Sequence, residues 1–140
     1  MAKHTLTDAF FEWNSVDLSA WVRSVDSAEI NLAEVDGTTM GTNGVAEILA
    51  GLQTFNFSIT FAADEAASAV AQTLFADAIA KTARAIEIRP TSGAKSATNP
   101  GYQTTLRITS YPLLGGAVGE LDTQTVVMRS TGVAMTRATS

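Results

Sequence analysis

Residues 52–61 read Leu-Gln-Thr-Phe-Asn-Phe-Ser-Ile-Thr-Phe and alternate between apolar and polar side chains. The apolar set is Phe55, Phe57, Ile59 and Phe61, and the polar set is Thr54, Asn56, Ser58 and Thr60. Successive side chains of a strand point to opposite faces, so this pattern predicts a β-strand with one aromatic face and one uncharged polar face. We expect the aromatic face on the core of an antiparallel sheet. An aromatic platform that binds a ligand is the alternative.

Several shorter alternating segments predict further strands. Residues 25–35 place Ala28, Ile30 and Leu32 on one face, with Glu29 and Asn31 on the other, which is typical of a half-buried strand. Further strands are predicted near 84–89 (Ile86 and Ile88 inward, Glu87 and Arg89 outward), 102–111 (Tyr102, Leu106 and Ile108 on one face), 120–129 (Glu120 and Asp122 on one face) and 133–137.

The segment from Asp64 to Lys81 predicts the chain's one helix. Asp64 is the expected N-cap, and Lys81 suits the negative end of the helix dipole. The apolar stripe consists of Ala67, Val70, Leu74 and Ala78, with Ala71 and Phe75 beside it. Strands, then one helix, then strands again predict a mainly β domain, a sandwich or small barrel with a helix packed on it. We assign this single domain to residues 10–140 and an N-terminal arm to residues 1–9.

The composition limits the classes of protein to which the chain can belong. Of its 140 residues 16% are charged, against about 25% in typical domains, whereas threonine and serine supply 30 positions. A surface covered by hydroxyl groups indicates contacts with copies of the same chain. The alternative explanation is that threonine suits pleated strands. Composition alone leaves both open.

The residues that many catalytic sites need are scarce. The chain has no cysteine and one histidine, His4, which argues against thiolate nucleophiles, zinc–thiolate sites and Ser-His-Asp enzymes. We therefore predict no enzyme and no catalytic, cofactor or metal site. The net charge is −5, with −8 in residues 1–70 and +3 in residues 71–140, which argues against a basic DNA-binding domain. With no apolar run of bilayer length and no signal-peptide pattern, we expect a protein that is made in a cytoplasm and does not contact membranes.

Residues 36–51 contain four glycines and predict a long loop or flexible hairpin, with Asn43-Gly44 as its turn. Its apolar residues need cover, which a partner chain often supplies. We predict as contacts between subunits Met40, Ile48 and Leu49 in this segment, and Phe10, Phe11 and Trp13 near the N-terminus. Packing of the three aromatic residues within their own subunit is the alternative.

A series of short motifs runs along the chain from about residue 7 to its end. They are Val16–Val22, Val35–Gly41, Ala50–Leu52, Ile88–Ser92, Asn99–Tyr102, Ser110–Pro112, Gly115–Glu120 and Met135–Arg137. In order and spacing they resemble the major tail proteins, or tail tube proteins, of long-tailed (siphovirus-like) bacteriophages, in the compact form common in phages of actinobacteria. Residues 62–84 add little to this resemblance beyond a helix.

The resemblance implies a structural virion protein with a β-sandwich and one flanking helix. Six copies would form a ring, and stacked rings a tube with a continuous β lumen that conducts DNA during ejection. Residues 36–51 would reach a neighbouring subunit or ring, and the terminal arms would serve stacking. The implied partners are further copies of the chain and the tape measure, tail terminator and distal tail proteins. The implied location is the virion tail, after assembly in the host cytoplasm.

A conduit must not bind its cargo, so the resemblance implies an acidic or neutral lumen that repels DNA without sequence preference. The candidates for lining it are Thr54, Asn56, Ser58 and Thr60, continued by Glu29 and Asn31, with Glu120 and Asp122 at another strand. The alternative places these faces in solvent outside the tube. Two further functions stay open: a tube subunit of a contractile or phage-derived injection device, and a small-ligand-binding β-barrel with a pocket lined by Phe55, Phe57 and Tyr111.

Overall fold

The described part of the chain folds into one antiparallel sheet and one α-helix, the mainly β architecture with a helix that the sequence predicts. The computed structural model describes residues 5–66 and 69–140. The strands and the α-helix in these ranges are β1 (Phe10–Trp13), β2 (Val16–Asp17), β3 (Val22–Asp36), β4 (Ile48–Ala62), α1 (Val70–Ala80), β5 (Arg84–Arg89), β6 (Gly101–Ser110), β7 (Thr123–Ser130) and β8 (Thr136–Ala138). Short 3-10 helices lie at Ser19–Trp21 and Met40–Thr42. Across these described ranges, no helix combines the length and the apolar character needed to cross a membrane.

The strands form a single sheet in the order β2-β1-β5-β6-β7-β4-β3, and β8 pairs with the first residues of β6. Every pairing is antiparallel. Phe11 of β1 and Phe61 of β4 are not on neighbouring strands, yet their ring centroids lie 5.7 Å apart. The sheet therefore curls over on itself, and the two facing parts enclose the core as in a sandwich.

The core lies between the curled sheet and α1. Its largest fully buried side chains include Trp13, Phe11, Phe61, Leu18, Ile59, Leu74, Leu106 and Met128. The alternation predicted for residues 52–61 is confirmed, because Phe55, Phe57, Ile59 and Phe61 are all buried. Burying one such side chain stabilises a fold by about 1.5–3 kcal/mol. Burial of these side chains therefore stabilises the arrangement of the strands that carry them.

The helix is shorter than predicted. It begins at Val70, and its N-cap residue, Ala69, makes no side-chain hydrogen bond. The Asp64 carboxylate instead accepts hydrogen bonds from the Ala66 N–H and from the indole N–H of Trp21, both at 2.9 Å. These bonds lower the pKa of Asp64, the backbone N–H of Ala66 contributing most. The prediction that Asp64 caps the helix is therefore wrong.

The predicted apolar stripe of the helix is otherwise present. Val70 and Leu74 are buried, and Ala78 packs against the core. Ala67 lies outside the described residues. The helix ends at Ala80, because the left-handed conformation of its C-cap residue Lys81 (φ 56°) interrupts the helical path.

Two buried carboxylates are held by specific partners. Asp77 of α1 accepts the indole N–H of Trp13 at 2.7 Å and the Nε–H of Arg84 at 3.1 Å, which ties the helix to β1 and β5. Glu87, predicted to point outward, is buried and lies between Gln103, Lys95 and Arg89. The outward prediction fails because polar side chains from the neighbouring strand and loop cover this carboxylate. A buried charge with such partners is tolerable, whereas an unpaired one is costly.

Candidate assembly surface

The hairpin of β3 and β4 is the longest feature of the sheet, with 15 residues in each strand. The two strands pair from Val22 opposite Phe61 to Asp36 opposite Ile48. On its other side, β4 is paired with β7 only from Asn56 to Ala62. Residues 30–54 therefore form a two-stranded ribbon with its connecting loop, which we call the distal ribbon. An isolated two-stranded ribbon is marginally stable in water, so this one needs a partner.

Apolar side chains cover much of the distal ribbon. The exposed ones are Ile30, Leu32, Val35, Met40, Val45, Ile48, Leu49 and Leu52. Met40 is fully exposed and Leu52 is 81% exposed. Residues 25–35 lie in a strand, as predicted. The prediction that this strand is half-buried is wrong, because no residue of β3 is buried in the subunit. Clustered apolar exposure of this kind marks a surface for interaction.

The loop predicted at residues 36–51 is shorter in the structure, where it covers residues 37–47 between the two strands. It has its own hydrogen bonds: the Thr38 N–H donates to Asp36 at 2.9 Å, and the Glu47 N–H donates to the Thr38 hydroxyl at 2.8 Å. The bonds from Thr38 lower the pKa of Asp36. Asn43 and Gly44 adopt the left-handed conformations (φ 51° and 80°) that this dipeptide favours in turns.

The N-terminal aromatic cluster divides between the two faces of β1. Phe11 and Trp13 are 1% and 0% exposed and belong to the subunit's own core. Phe10 points to the opposite face, where its ring centroid lies 3.7 Å from the guanidinium carbon of Arg89. Fully buried side chains have no surface left for a second chain. The structure therefore replaces the predicted interface role of Phe11 and Trp13 with a core role.

A polar face runs across four adjacent strands, β6, β7, β4 and β3. The pairing register places Glu29 opposite Asn56 and Asn31 opposite Thr54, as the predicted continuation of this face requires. The same row continues through Arg129, which is opposite Asn56, to Arg107, which is opposite Arg129. Arg129 donates a hydrogen bond to the Asn56 side chain.

The polar face is therefore charged, although its β4 part alone is not. It carries Arg107 and Arg129 in the row just described, with Glu29 at the end of that row. Asp26 adds a second carboxylate, which accepts the hydroxyl of Thr60 at 2.7 Å. Two cations and two anions make the face close to neutral.

Glu120 and Asp122 are not on a strand face as predicted, because β7 begins at Thr123. Both carboxylates stabilise the preceding loop. Glu120 accepts the N–H of Ala117 at 3.3 Å, and Asp122 accepts the N–H of Gly115 at 2.8 Å. These hydrogen bonds give both carboxylates a structural role that requires no bound cation.

The residues proposed to line a ligand pocket are not brought together. Phe57 borders an open groove of about 300 Å³ between β3 and the start of β6. Tyr111 borders a separate groove beside α1, and its hydroxyl is within 3.3 Å of the Ala71 carbonyl oxygen and 3.2 Å of Gln124. Burial raises the pKa of this phenol. Among the described residues no cluster of three or more histidine and carboxylate side chains could hold a metal ion.

Comparison with protein-family models and with curated proteins finds no match. Solved structures do match. A chain of the virion of a native gene transfer agent particle aligns with a TM-score of 0.76 at 15% identity, over 97% of this chain and 99% of the other. A chain of the tail of an empty gene transfer agent particle, refined with C6 symmetry, gives 0.65 at 19% identity, over 84% and 82%. The protein has the tail-tube fold.

An injection-device structure shares this fold. A chain of the sheath/tube terminator of an extracellular contractile injection system aligns with a TM-score of 0.71 at 12% identity, over 97% of this chain and 98% of the other. The coverage of both chains shows that the likeness extends over the whole domain.

Proposed function

We propose that this chain is the repeating subunit of a tail tube, in which six copies form a ring and stacked rings form a conduit. The observation that carries the proposal is the distal ribbon: on a tail-tube fold, it exposes an apolar surface that the subunit itself leaves uncovered. The loop of the ribbon has its own hydrogen bonds and a defined turn. The low proportion of charged residues agrees with a surface used for self-association.

The sheet supports a ring of this size. Strands β6, β7, β4 and β3 are contiguous and share the polar face. With four strands from each of six subunits at a spacing near 4.8 Å, the closed wall has a circumference of roughly 115 Å before strand tilt. Such a bore is wider than a DNA duplex. Sixfold symmetry also describes the tail of the gene transfer agent particle that has this fold.

In this arrangement the polar face lines the bore. Arg107 and Arg129 are offset by Asp26 and Glu29, so the wall is close to neutral and not the acidic wall of the simplest repulsive conduit. Because the two carboxylates balance the two arginines in number, the wall offers the DNA phosphates no net positive charge. DNA therefore passes as cargo without a specific site.

A contractile or phage-derived injection device is the second candidate function. It is favoured by the alignment with the sheath/tube terminator of a contractile injection system. The subunit itself would do the same work in either assembly. We further propose that the chain is a siphovirus-like virion component that assembles in the host cytoplasm with tape measure, terminator and distal tail proteins.

Negative-stain electron microscopy of the purified chain tests the proposal. We expect rings or tubes with a central channel, and sixfold symmetry in class averages. A monodisperse monomer at all concentrations would contradict the tube function and would favour a ligand-binding domain. Microscopy of the parent particle distinguishes the two candidate functions, because a contractile device has a sheath around the tube.

A further inference from the structure

We propose that the bore carries its charges in separate belts, and that the belt containing Arg107 and Arg129 makes weak, sequence-independent contacts with the phosphates of passing DNA and slows its movement. The inference rests on the proposed tube function and concerns how the bore acts on its cargo. Three features of the polar face support it: the rows in which its charges lie, the partners of the two arginines, and the repetition of the rows around a ring.

The charges of the polar face lie in two different rows across the sheet. The pairing register sets side by side the residues that we call the arginine row, Arg107, Arg129, Asn56 and Glu29. Asp26 lies in another row, where its carboxylate accepts the hydroxyl of Thr60 at 2.7 Å. Thr60 follows Asn56 by four residues, so the two rows are about 13 Å apart along β4. The balance of charges therefore holds for the whole face and not for each row.

The row of Asp26 is acidic. Besides the bond from Thr60, its carboxylate accepts the hydroxyl of Ser24 at 2.9 Å. Thr60 in turn shares a hydrogen bond with the hydroxyl of Thr125 on β7, also at 2.9 Å. These partners are neutral, so the carboxylate keeps its negative charge. The arginine row has the opposite sign, because its two cations outnumber the single carboxylate of Glu29.

The two arginines are held in place by neutral groups. In the described part of the chain neither of them forms a salt bridge. The Nε–H of Arg107 donates to the Lys81 carbonyl oxygen at 3.1 Å, and Arg129 donates to the Asn56 side chain. A guanidinium has five N–H donors, so each arginine keeps donors for a further acceptor.

The position of the two arginines also favours an added anion. Both are exposed, and they lie directly opposite each other on β6 and β7. Like charges in directly opposed positions of a sheet are destabilising. An anion at this row therefore relieves a repulsion that the subunit itself leaves in place, and it meets N–H donors that are already positioned.

Ring symmetry turns each row into a belt. In the proposed wall the strands stand side by side around the bore, and each row crosses them. Sixfold symmetry repeats the arginine row at one height in every subunit of a ring, and the row of Asp26 at another height. Each ring therefore has one belt of positive net charge and one belt of negative net charge along its axis.

The phosphate backbone of a DNA duplex fits the positive belt. Guanidinium groups match the oxygen geometry of phosphate, and contacts to phosphate carry no sequence information. Such contacts exchange with salt ions, so they form and break as the duplex moves. The acidic belt repels the same backbone. DNA therefore meets weak attraction and weak repulsion in turn, and its passage slows at every ring without a fixed stopping point.

Retention of a short fluorescent DNA duplex by sedimented tubes tests the positive belt. Natural tubes are compared with tubes of the double variant Arg107→Gln and Arg129→Gln, and with tubes of each single variant. A duplex that contacts two arginines should lose affinity roughly tenfold as salt rises from about 50 to 200 mM. At the lower salt the double variant should retain at least about fivefold less duplex, and its retention should depend little on salt.

Three controls assign the contact to the bore. Arg137→Gln should leave retention unchanged, because this exposed arginine lies on β8, outside the four strands of the proposed wall. Asp26→Asn should raise retention, because it removes the acidic belt. The same duplex with a globular protein wider than the bore attached at each end should not be retained, since it cannot enter.

The outcomes separate the belt from the tube. Equal retention by natural tubes and by assembled arginine variants, or equal retention of the capped duplex, would overturn the belt and leave the tube function standing. If no arginine variant assembles, natural tubes whose retention is independent of salt would overturn it. A natural chain that forms no rings or tubes would overturn both proposals.

Discussion

The two halves of β4 lie in opposite environments. In residues 55–62 the apolar side chains Phe55, Phe57, Ile59 and Phe61 are at most 4% exposed. In residues 48–54, which belong to the distal ribbon, Ile48, Leu49 and Leu52 are 47–81% exposed. Residues 55–62 lie beside β7 and beneath the facing part of the curled sheet, whereas residues 48–54 have β3 as their one neighbouring strand. One strand therefore carries stability at one end and a surface for association at the other.

This division predicts that substitutions separate into two groups. Substitutions in the body of the subunit, meaning the described residues outside the distal ribbon, should lower the free energy of unfolding of the isolated subunit. Changes in the distal ribbon should leave that free energy nearly unchanged and alter assembly.

Trp13→Ala should destabilise the subunit by about 3–5 kcal/mol, because it empties a fully buried site and removes the hydrogen bond to Asp77. Urea unfolding of the unassembled chain measures this. The matched ribbon variant, Met40→Ala, should stay within about 0.5 kcal/mol of the natural chain. Equal effects of the two variants would show that the body and the ribbon are not energetically separate.

Asp77→Asn should cost about 1–3 kcal/mol, because the indole and guanidinium donors of Trp13 and Arg84 lose a charged acceptor. Glu47→Gln is the control, since the structure assigns this exposed side chain no hydrogen bond among the described residues. A loss no larger than that of the control would mean that the three-residue link contributes nothing to the docking of α1. Chemical denaturation followed by tryptophan fluorescence is a suitable measurement.

Replacement of residues 38–46 by Asn-Gly should change subunit stability by less than about 1 kcal/mol, because the entropy of a loop depends weakly on its length. The same variant should form no tubes, since it removes the loop that carries Met40 and Val45. Circular dichroism tests the fold and microscopy tests assembly. Normal tubes from a folded variant would contradict the assignment of the loop to contacts between subunits.

Asp64→Asn should have the smallest effect, a loss of stability at neutral pH that disappears in acid. Hydrogen bonds lower the pKa of Asp64 in the folded chain below its ordinary value of 3.8. The carboxylate therefore contributes stability that is present above that value and is lost as the pH falls through the folded pKa. The variant should lose less stability than the natural chain between neutral pH and pH below 3.8. Melting temperatures across this range measure the difference, and parallel curves would count against it.

The sequence predicts the strands and the helix of this fold better than it predicts the burial and the partners of their side chains. Alternation in residues 52–61 identifies β4 because side-chain direction is a local property. The exposure of Ile30 and Leu32 is not local, since the same pattern arises in a strand that a body covers. Asp64 has the residue type and position of a helix cap, but Trp21, distant in sequence, shares its carboxylate.

The residues of the candidate surface are likewise only partly predictable from the sequence. Met40, Ile48 and Leu49 can be found because apolar residues stand in a glycine-rich segment. Phe11 and Trp13 cannot be assigned from sequence, because an aromatic cluster suits a core and an interface equally. The charge of the polar face depends on Arg129 lying opposite Asn56, a pairing between strands far apart in the chain. Its detection requires the register of the sheet.

The open edge of β3 has a consequence for mixtures of intact and defective chains. On the proposed assembly, an incomplete ring always ends in one free β3 edge and one free β6 edge, and only the last subunit removes both. A chain with one blocked edge can still join through the other, and the arc that contains it can never close. Small amounts of such a chain should therefore act as a dominant-negative inhibitor, and tube yield should fall more steeply than the fraction of intact chain.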